Sequence, residues 1–132
     1  MKKKFSFILL TVSMILVVGC TGGKANYEDG LHSEEAEIDD RGWKSTITIT
    51  VVDGKIKEVD YDEVNEEGIS KTKDTEYAEL MKKETGISPE EAFQKLEKEL
   101  KSSQDVDKVD VVSGATSSSN EFKSLAKEAL GL

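Results

Sequence analysis

The segment that most restricts the fold is residues 46–52, which read TITITVV. Its aliphatic residues alternate with threonines, and a period of two is typical of a strand with one buried face. The next residues are Asp53 and Gly54, which both tolerate positive φ. The spacing therefore predicts a type I′ turn into a second strand over residues 55–61. Apolar residues change parity along that second strand, which predicts a β-bulge.

Two helices are predicted in the middle of the chain. The first has apolar residues on one face and ends at Gly86, a residue type suited to the left-handed conformation after a helix. The second has Ser88 as its N-cap and Pro89 as its first residue, and Glu91 completes a capping box.

The remaining elements set the predicted fold class. A short strand is predicted over residues 106–112, a last helix from about Ser119, and a further strand over residues 31–38. The order of these elements predicts an α+β domain, in which helices pack on one face of an antiparallel sheet of about three to five strands.

The N-terminus has the pattern of an export signal. Three lysines precede an apolar run over residues 5–18, which is shorter than the roughly 20 residues that span a bilayer. The run ends in LVVGC and resembles a bacterial lipobox, which implies cleavage before Cys20 and a diacylglyceryl group on its sulfur. The alternative is an ordinary cleaved signal with a chance cysteine. We expect a signal peptide at 1–19, a lipidated tether at 20–26 and one folded domain at 27–132.

Composition and missing motifs exclude several classes of protein. The formal net charge of −9 argues against nucleic acid as a partner. A single cysteine cannot form an internal disulfide, and the lone His32 has no neighbours at metal-ligand spacing. We find no hydrolase, metalloprotease, Walker or dinucleotide motif, and we predict no catalytic residue and no metal site.

Residues 110–119 read DVVSGATSSS and lie between the predicted last strand and last helix. Gly114 permits a tight turn and Ala115 adds no bulk, so Thr116 is predicted to project from a strand-to-helix corner. An anionic group attached there would be stabilised by the helix N-terminus. The alternative is that the segment only caps the helix, through a capping box between Ser118 and Glu121.

This DxxSGAT pattern resembles that of the FMN-binding domain family, and in particular the PplA-type surface lipoproteins of Gram-positive bacteria, which serve extracellular electron transfer. The resemblance covers most of residues 27–127. It implies FMN as cofactor, joined through its phosphate to Thr116 by a flavin transferase that uses FAD as donor. The neighbouring candidates for cofactor binding are Asp110, Ser113, Gly114, Ala115, Ser117 and Ser118. Asp110 is equally explained as a solvated charge at a strand end.

Three further side chains are secondary candidates. Trp43 would stack on a flavin or belong to the core. Lys71 and Ser70 lie in a loop that departs from the family pattern, and we expect them to be solvent-exposed rather than in contact with the ring or phosphate.

The preferred function is that of an electron carrier on the extracytoplasmic face of the cell membrane. It would take electrons from a membrane redox partner or quinone oxidoreductase and pass them to an outside acceptor. The runner-up is a non-redox surface binding module that keeps the fold without the cofactor. A stand-alone reductase is a third alternative, although the sequence shows no separate substrate site.

Overall fold

The computed structural model of the chain describes residues 26–132, so the predicted signal peptide, Cys20 and nearly all of the tether lie outside the described residues. The elements in chain order are β1 (Gly30–Glu35), β2 (Trp43–Val52), β3 (Lys55–Asn65), α1 (Thr75–Thr85), α2 (Pro89–Ser103), a 3-10 turn (Val106–Lys108) and α3 (Thr116–Ala129). The predicted α+β class is confirmed. No helix within residues 26–132 is long and apolar enough to cross a membrane.

The predicted hairpin joins β2 to β3 and fixes the register of the sheet. Asp53 and Gly54 have φ of 53° and 73°, as a type I′ turn requires. The register shifts between Thr50 and Val51, which confirms the bulge. The sheet order is β1-β2-β3, all antiparallel, and β1 is shorter than the strand predicted over residues 31–38.

One face of the sheet carries the core, and α2 and α3 pack on it. Tyr61 of β3 lies edge-on between Phe93 of α2 and Phe122 of α3, with ring centroids 4.9 Å and 5.2 Å away. The capping box of Ser88 and Glu91 is present and Pro89 is the first residue of α2, as predicted. The start of α2 is thereby fixed at Pro89.

The strand predicted over residues 106–112 is wrong. Its first residues form the 3-10 turn, capped by the Asp105 side chain, and the rest is an extended loop. Val106, Val109 and Val112 are all buried. Their spacing of three suits a turn packed under α2 and α3, and an alternating strand would have exposed every other one of them.

The last helix begins three residues earlier than expected, at Thr116, and Ala115 occupies the cap position without a side-chain hydrogen bond. The capping box predicted for Ser118 and Glu121 is therefore wrong. Ser119 is fully buried, and its hydroxyl accepts the Val112 N–H at 2.9 Å and donates to the Ala115 carbonyl at 2.7 Å. Ser119 therefore ties the preceding loop to α3 from within the first turns of the helix and does not cap its start.

The chain enters the described structure beside the hairpin. The Tyr27 N–H donates to the Gly54 carbonyl at 3.2 Å, and the Tyr27 hydroxyl donates to the Gln104 carbonyl at 2.8 Å. Trp43 begins β2 at the other end of the sheet, and a strand of this length spans about 30 Å. The entry point and the Trp43 end are thus on opposite sides of the domain.

Candidate functional site

A cavity of about 380 Å³ lies near the Trp43 end of the sheet. Its walls are α1, the first turn of α2, the loop that carries Lys71, and the start of α3. Residues 114–118 all line it, so the structure brings five of the predicted motif residues together. Its volume is within the range of small-molecule sites.

The other sequence candidates lie elsewhere. Asp110 and Ser113 line a separate cleft against the exposed side of α2, beside Lys95 and Lys98. Trp43 is buried and lines a second cleft, which reaches Ser117 from the other side. The structure therefore does not bring Asp110, Ser113 or Trp43 into the cavity.

The corner before α3 depends on Gly114. Its φ is 87°, and a Cβ there would lie 2.9 Å from the Thr85 Cβ and 3.1 Å from the Thr85 carbonyl oxygen. The Ala115 N–H closes the turn on the Val112 carbonyl at 3.0 Å. Only glycine lets this corner sit so close to the end of α1.

Thr116 is the first residue of α3 and is solvent-exposed in the mouth of the cavity. The N–H groups of residues 116–118 belong to the first helical turn, where no intrahelical acceptor exists. No side chain caps them. They form a set of backbone donors at the start of α3, where Thr116 is the first residue, together with the positive end of the helix dipole.

Lys71 lines the cavity on the side of the domain core, which we call the inner wall. The prediction that Lys71 is solvent-exposed is wrong. The chain turns at Gly68 and runs back along the end of β3, where the Lys71 N–H donates to the Glu63 carbonyl at 2.7 Å. The Lys71 ammonium and the Glu63 carboxylate then form an ion pair, with 3% and 4% of the two side chains exposed. Ser70 is half-buried, and its hydroxyl donates to Asp62 Oδ1 at 2.8 Å.

The ion pair extends into a buried network that the sequence patterns did not predict. The Tyr61 hydroxyl donates to Glu63 Oε1 at 3.0 Å and lies 3.4 Å from the Ser118 carbonyl oxygen of α3. Burial, with the negative charge of Glu63, raises the pKa of Tyr61 above its ordinary value, so the hydroxyl stays protonated. The sequence did contain an indication that Glu63 is buried, because Glu63 continues the alternation of the buried residues Val59 and Tyr61 along β3.

Two aromatic rings complete the setting of the Lys71 ammonium. Its Nζ lies 5.0 Å from the ring centroids of both Trp43 and Tyr77, and the two rings meet edge to face at 5.4 Å. Cations at this distance from a ring face are stabilised by its quadrupole. Trp43 is thus a core residue that contacts the site through Lys71.

Arg41 supplies a second positive charge at the cavity mouth. Asp39 Oδ1 accepts the N–H groups of Arg41 and Trp43, each at 2.9 Å, and its other oxygen accepts from the Arg41 guanidinium at 3.0 Å. Although burial opposes ionisation, these hydrogen bonds lower the pKa of Asp39 below its ordinary value. The charged Asp39 therefore holds the loop and aligns Arg41.

The cavity combines donors for an anion with apolar walls. The α3 terminus and Arg41 suit a phosphate, and Tyr77, Leu80 and Phe93 suit a flat apolar ring. In the part of the chain from Asn26 onward, no group of three or more acidic, His or Cys side chains is arranged to hold a metal ion.

Comparison with known proteins identifies several relatives. The model of a family described as "FMN-binding domain" matches residues 42–131. A "15 kDa lipoprotein" of Treponema pallidum is 36% identical over 107 residues, which are 81% of this chain and 70% of that protein. A crystal structure from Clostridium perfringens has 45% identity and a TM-score of 0.77, covering 80% of this chain and 87% of the other. A solution structure from Clostridium thermocellum has 29% identity and a TM-score of 0.53, covering 79% and 90%.

Proposed function

Because the chain belongs to the FMN-binding domain family and FMN is its cofactor, we propose that it carries this FMN covalently on Thr116 and serves as a membrane-anchored electron carrier. The observation that carries the proposal is the position of Thr116. Its side chain is exposed, yet it lies at the mouth of a cavity of suitable volume and among unpaired backbone donors. A modifying enzyme can reach the hydroxyl, and the group it adds has a site next to it.

The residues of the cavity suit the parts of FMN. The first-turn N–H groups of α3 and the Arg41 guanidinium would hold the phosphate, with the Ser117 hydroxyl beside it. The isoalloxazine supplies the redox chemistry, and the apolar residues Tyr77, Leu80 and Phe93 would exclude water from it. Asp110 and Ser113 lie in the other cleft, where they remain accessible to a modifying enzyme.

Attachment would be made by a flavin transferase with FAD as donor. The Thr116 oxygen forms a bond to the FMN phosphorus, the pyrophosphate bond of FAD breaks, AMP leaves, and the hydroxyl proton is released. The product is a phosphodiester with one negative charge next to the start of α3. Covalent attachment suits a protein outside the cell, where a dissociable cofactor would be lost by dilution.

We place the protein on the extracytoplasmic face of the cell membrane, anchored by a lipid on Cys20. The lipobox-like LVVGC segment and the likeness to the Treponema lipoprotein support this placement. Electrons would come from a membrane redox partner, such as a quinone oxidoreductase, and leave to an acceptor outside. The lipid would be the anchor, since two acyl chains give stable attachment to a membrane.

The test is to coexpress the exported protein with a flavin transferase and to measure its intact mass and in-gel fluorescence after denaturation. The wild-type protein and Thr116→Ser should carry the flavin mass, whereas Thr116→Ala should carry none. Ser117→Ala is the matched control, because it removes a neighbouring hydroxyl from the same cavity and should keep the adduct. Flavin retained on Thr116→Ala would reject the attachment site. A wild-type protein without any adduct would favour the binding module.

A further inference from the structure

The buried ion pair of Lys71 and Glu63 is oriented relative to the cavity, with the lysine nearer to it. Lys71 lines the cavity that we assign to FMN, whereas Glu63 does not line it. Glu63 instead lines the neighbouring cleft, together with Trp43 and Ser117. The pair is therefore a dipole in the inner wall, with its positive end toward the cavity.

The surroundings hold both members of the pair in place. The Trp43 and Tyr77 rings flank the ammonium at 5.0 Å, and the Tyr61 hydroxyl donates to the carboxylate at 3.0 Å. No buried side-chain polar atom within residues 26–132 lacks a hydrogen-bond partner. The ammonium therefore acts as a fixed charge and not as a mobile surface group.

Stability alone does not account for such a pair. Desolvating two charges costs several kcal/mol, and apolar residues of the same volume often replace a buried pair without loss of stability. An electrostatic role toward a group in the cavity gives the pair a reason to be there. A charge acts more strongly in a water-poor wall than at the surface.

We propose that Lys71, held by Glu63 as its positioning residue, raises the reduction potential of the flavin. This proposal rests on the proposed function, because it requires FMN in the cavity. When FMN accepts two electrons from the membrane redox partner and one proton from solvent, its ring changes from neutral to singly negative. The Lys71 ammonium stabilises the added charge, whereas the more distant Glu63 carboxylate opposes it.

The experiment is a spectroscopic redox titration of the flavinylated protein with dithionite and reference dyes. Lys71→Met should lower the equilibrium constant for reduction about tenfold, which is about 30 mV for a two-electron couple. Glu63→Gln should shift it in the opposite direction, because it removes the opposing charge and keeps a hydrogen-bonding side chain. Lys71→Arg should retain a potential close to that of the wild type.

A second ion pair of the same residue types provides the matched control. Lys101 Nζ and Glu58 Oε2 lie 3.8 Å apart on the surface. Lys101 is near the C-terminal end of α2, about 18 Å along the helix from Pro89, which lines the cavity. Lys101→Met and Glu58→Gln should leave the potential unchanged. The double variant Lys71→Met/Glu63→Gln removes both buried charges, and should still show a lowered potential if either single variant fails to fold.

The outcomes separate this proposal from the proposed function. Shifts of the same sign for Lys71→Met and Glu63→Gln, or a double variant with the wild-type potential, would overturn the role of Lys71 while the flavin adduct remains visible by mass. Absence of the adduct from the wild-type protein would instead reject the proposed function. Opposite shifts at the buried pair, with none at the control pair, would support the proposal.

Discussion

The cavity has an inner wall, formed by the loop that carries Lys71, and an outer wall, formed by α1 and the start of α2. Each wall is held by a Lys–Glu ion pair, but one pair is buried and the other is exposed. In the inner wall, Lys71 and Glu63 are 3% and 4% exposed. In the outer wall, Lys82 of α1 contacts Glu91 of α2, and these side chains are 54% and 48% exposed. No residue of α1 is buried, whereas five residues of α2 are.

The difference shows that burial, and not residue type, decides what an ion pair does. Exposed pairs contribute little to stability, because water and salt screen them and the side chains lose entropy. A buried pair must be complete, because removal of one partner leaves a charge without compensation. The inner wall of the cavity is therefore fixed by buried contacts of the domain core, whereas the outer wall is attached mainly by contacts at the surface.

The largest expected effect comes from breaking the inner wall. Glu63→Ala should lower the free energy of unfolding by about 3–5 kcal/mol, because Lys71 loses its buried ion-pair partner and the Tyr61 hydroxyl loses one of its acceptors. Urea unfolding of the protein made without the transferase measures this loss. Glu58→Ala, in the exposed pair with Lys101, should change little. Equal losses for the two variants would contradict the contrast between buried and exposed pairs.

A smaller effect is expected where the corner before α3 meets the end of α1. Gly114→Ala should cost about 2–3 kcal/mol, because positive φ is strained and the new Cβ meets Thr85 at 2.9 Å. Gly86→Ala is the matched control, since its φ is 83° but no atom lies within 4 Å of the added Cβ. It should cost about 1–2 kcal/mol. Urea unfolding gives both values, and a larger loss at Gly86 would show that the close approach is unimportant.

The smallest effect is expected in the outer wall and depends on pH. The hydrogen bond from Lys82, followed by that from the Ser88 N–H, lowers the pKa of Glu91 from 4.5 to about 2. A carboxyl group with a lowered pKa in the folded state stabilises the fold above its unfolded-state pKa, and this contribution is lost as pH falls toward about 2. Glu91→Gln should therefore have a slightly lower Tm than the wild type at pH 7.

The same Tm difference should vanish in acid. Circular dichroism melts between pH 7 and pH 2 should show the two curves converging below about pH 4.5. Lys82→Met should behave like Glu91→Gln, since it removes the main cause of the lowered pKa. A Tm difference that persists at pH 2 would show that Glu91 acts through its packing or shape and not its charge.

Local patterns predicted the parts of the fold that local forces determine. The alternation in residues 46–52, the positive φ at Asp53 and Gly54, and the capping box at Ser88 all act between near neighbours, and each was predicted from the sequence. The segment over residues 106–112 was mispredicted because its spaced valines fit either a strand or a packed turn. Only the packing of α2 and α3 distinguishes the two.

Of the residues that line the cavity or lie behind it, the sequence indicated those that are continuous in the chain. Residues 114–118 are adjacent in sequence and meet in one cavity, whereas Lys71 and Glu63 are brought together by the return of the chain after Gly68. A lysine in a polar loop is normally solvated, so its sequence neighbours gave no sign of burial. The alternation of Tyr61 and Glu63 was the one available indication that a carboxylate enters the core.

The contact of Tyr27 with the hairpin fixes which end of the domain lies next to the N-terminal segment. Because the chain enters beside Gly54 and the cavity is near the Trp43 end, β2 separates the two by about 30 Å. Any attachment upstream of Asn26 would hold the domain at its hairpin end and leave the cavity at the opposite end. The length of β2, in addition to that of any linker, would then set how far the cavity lies from the point of attachment.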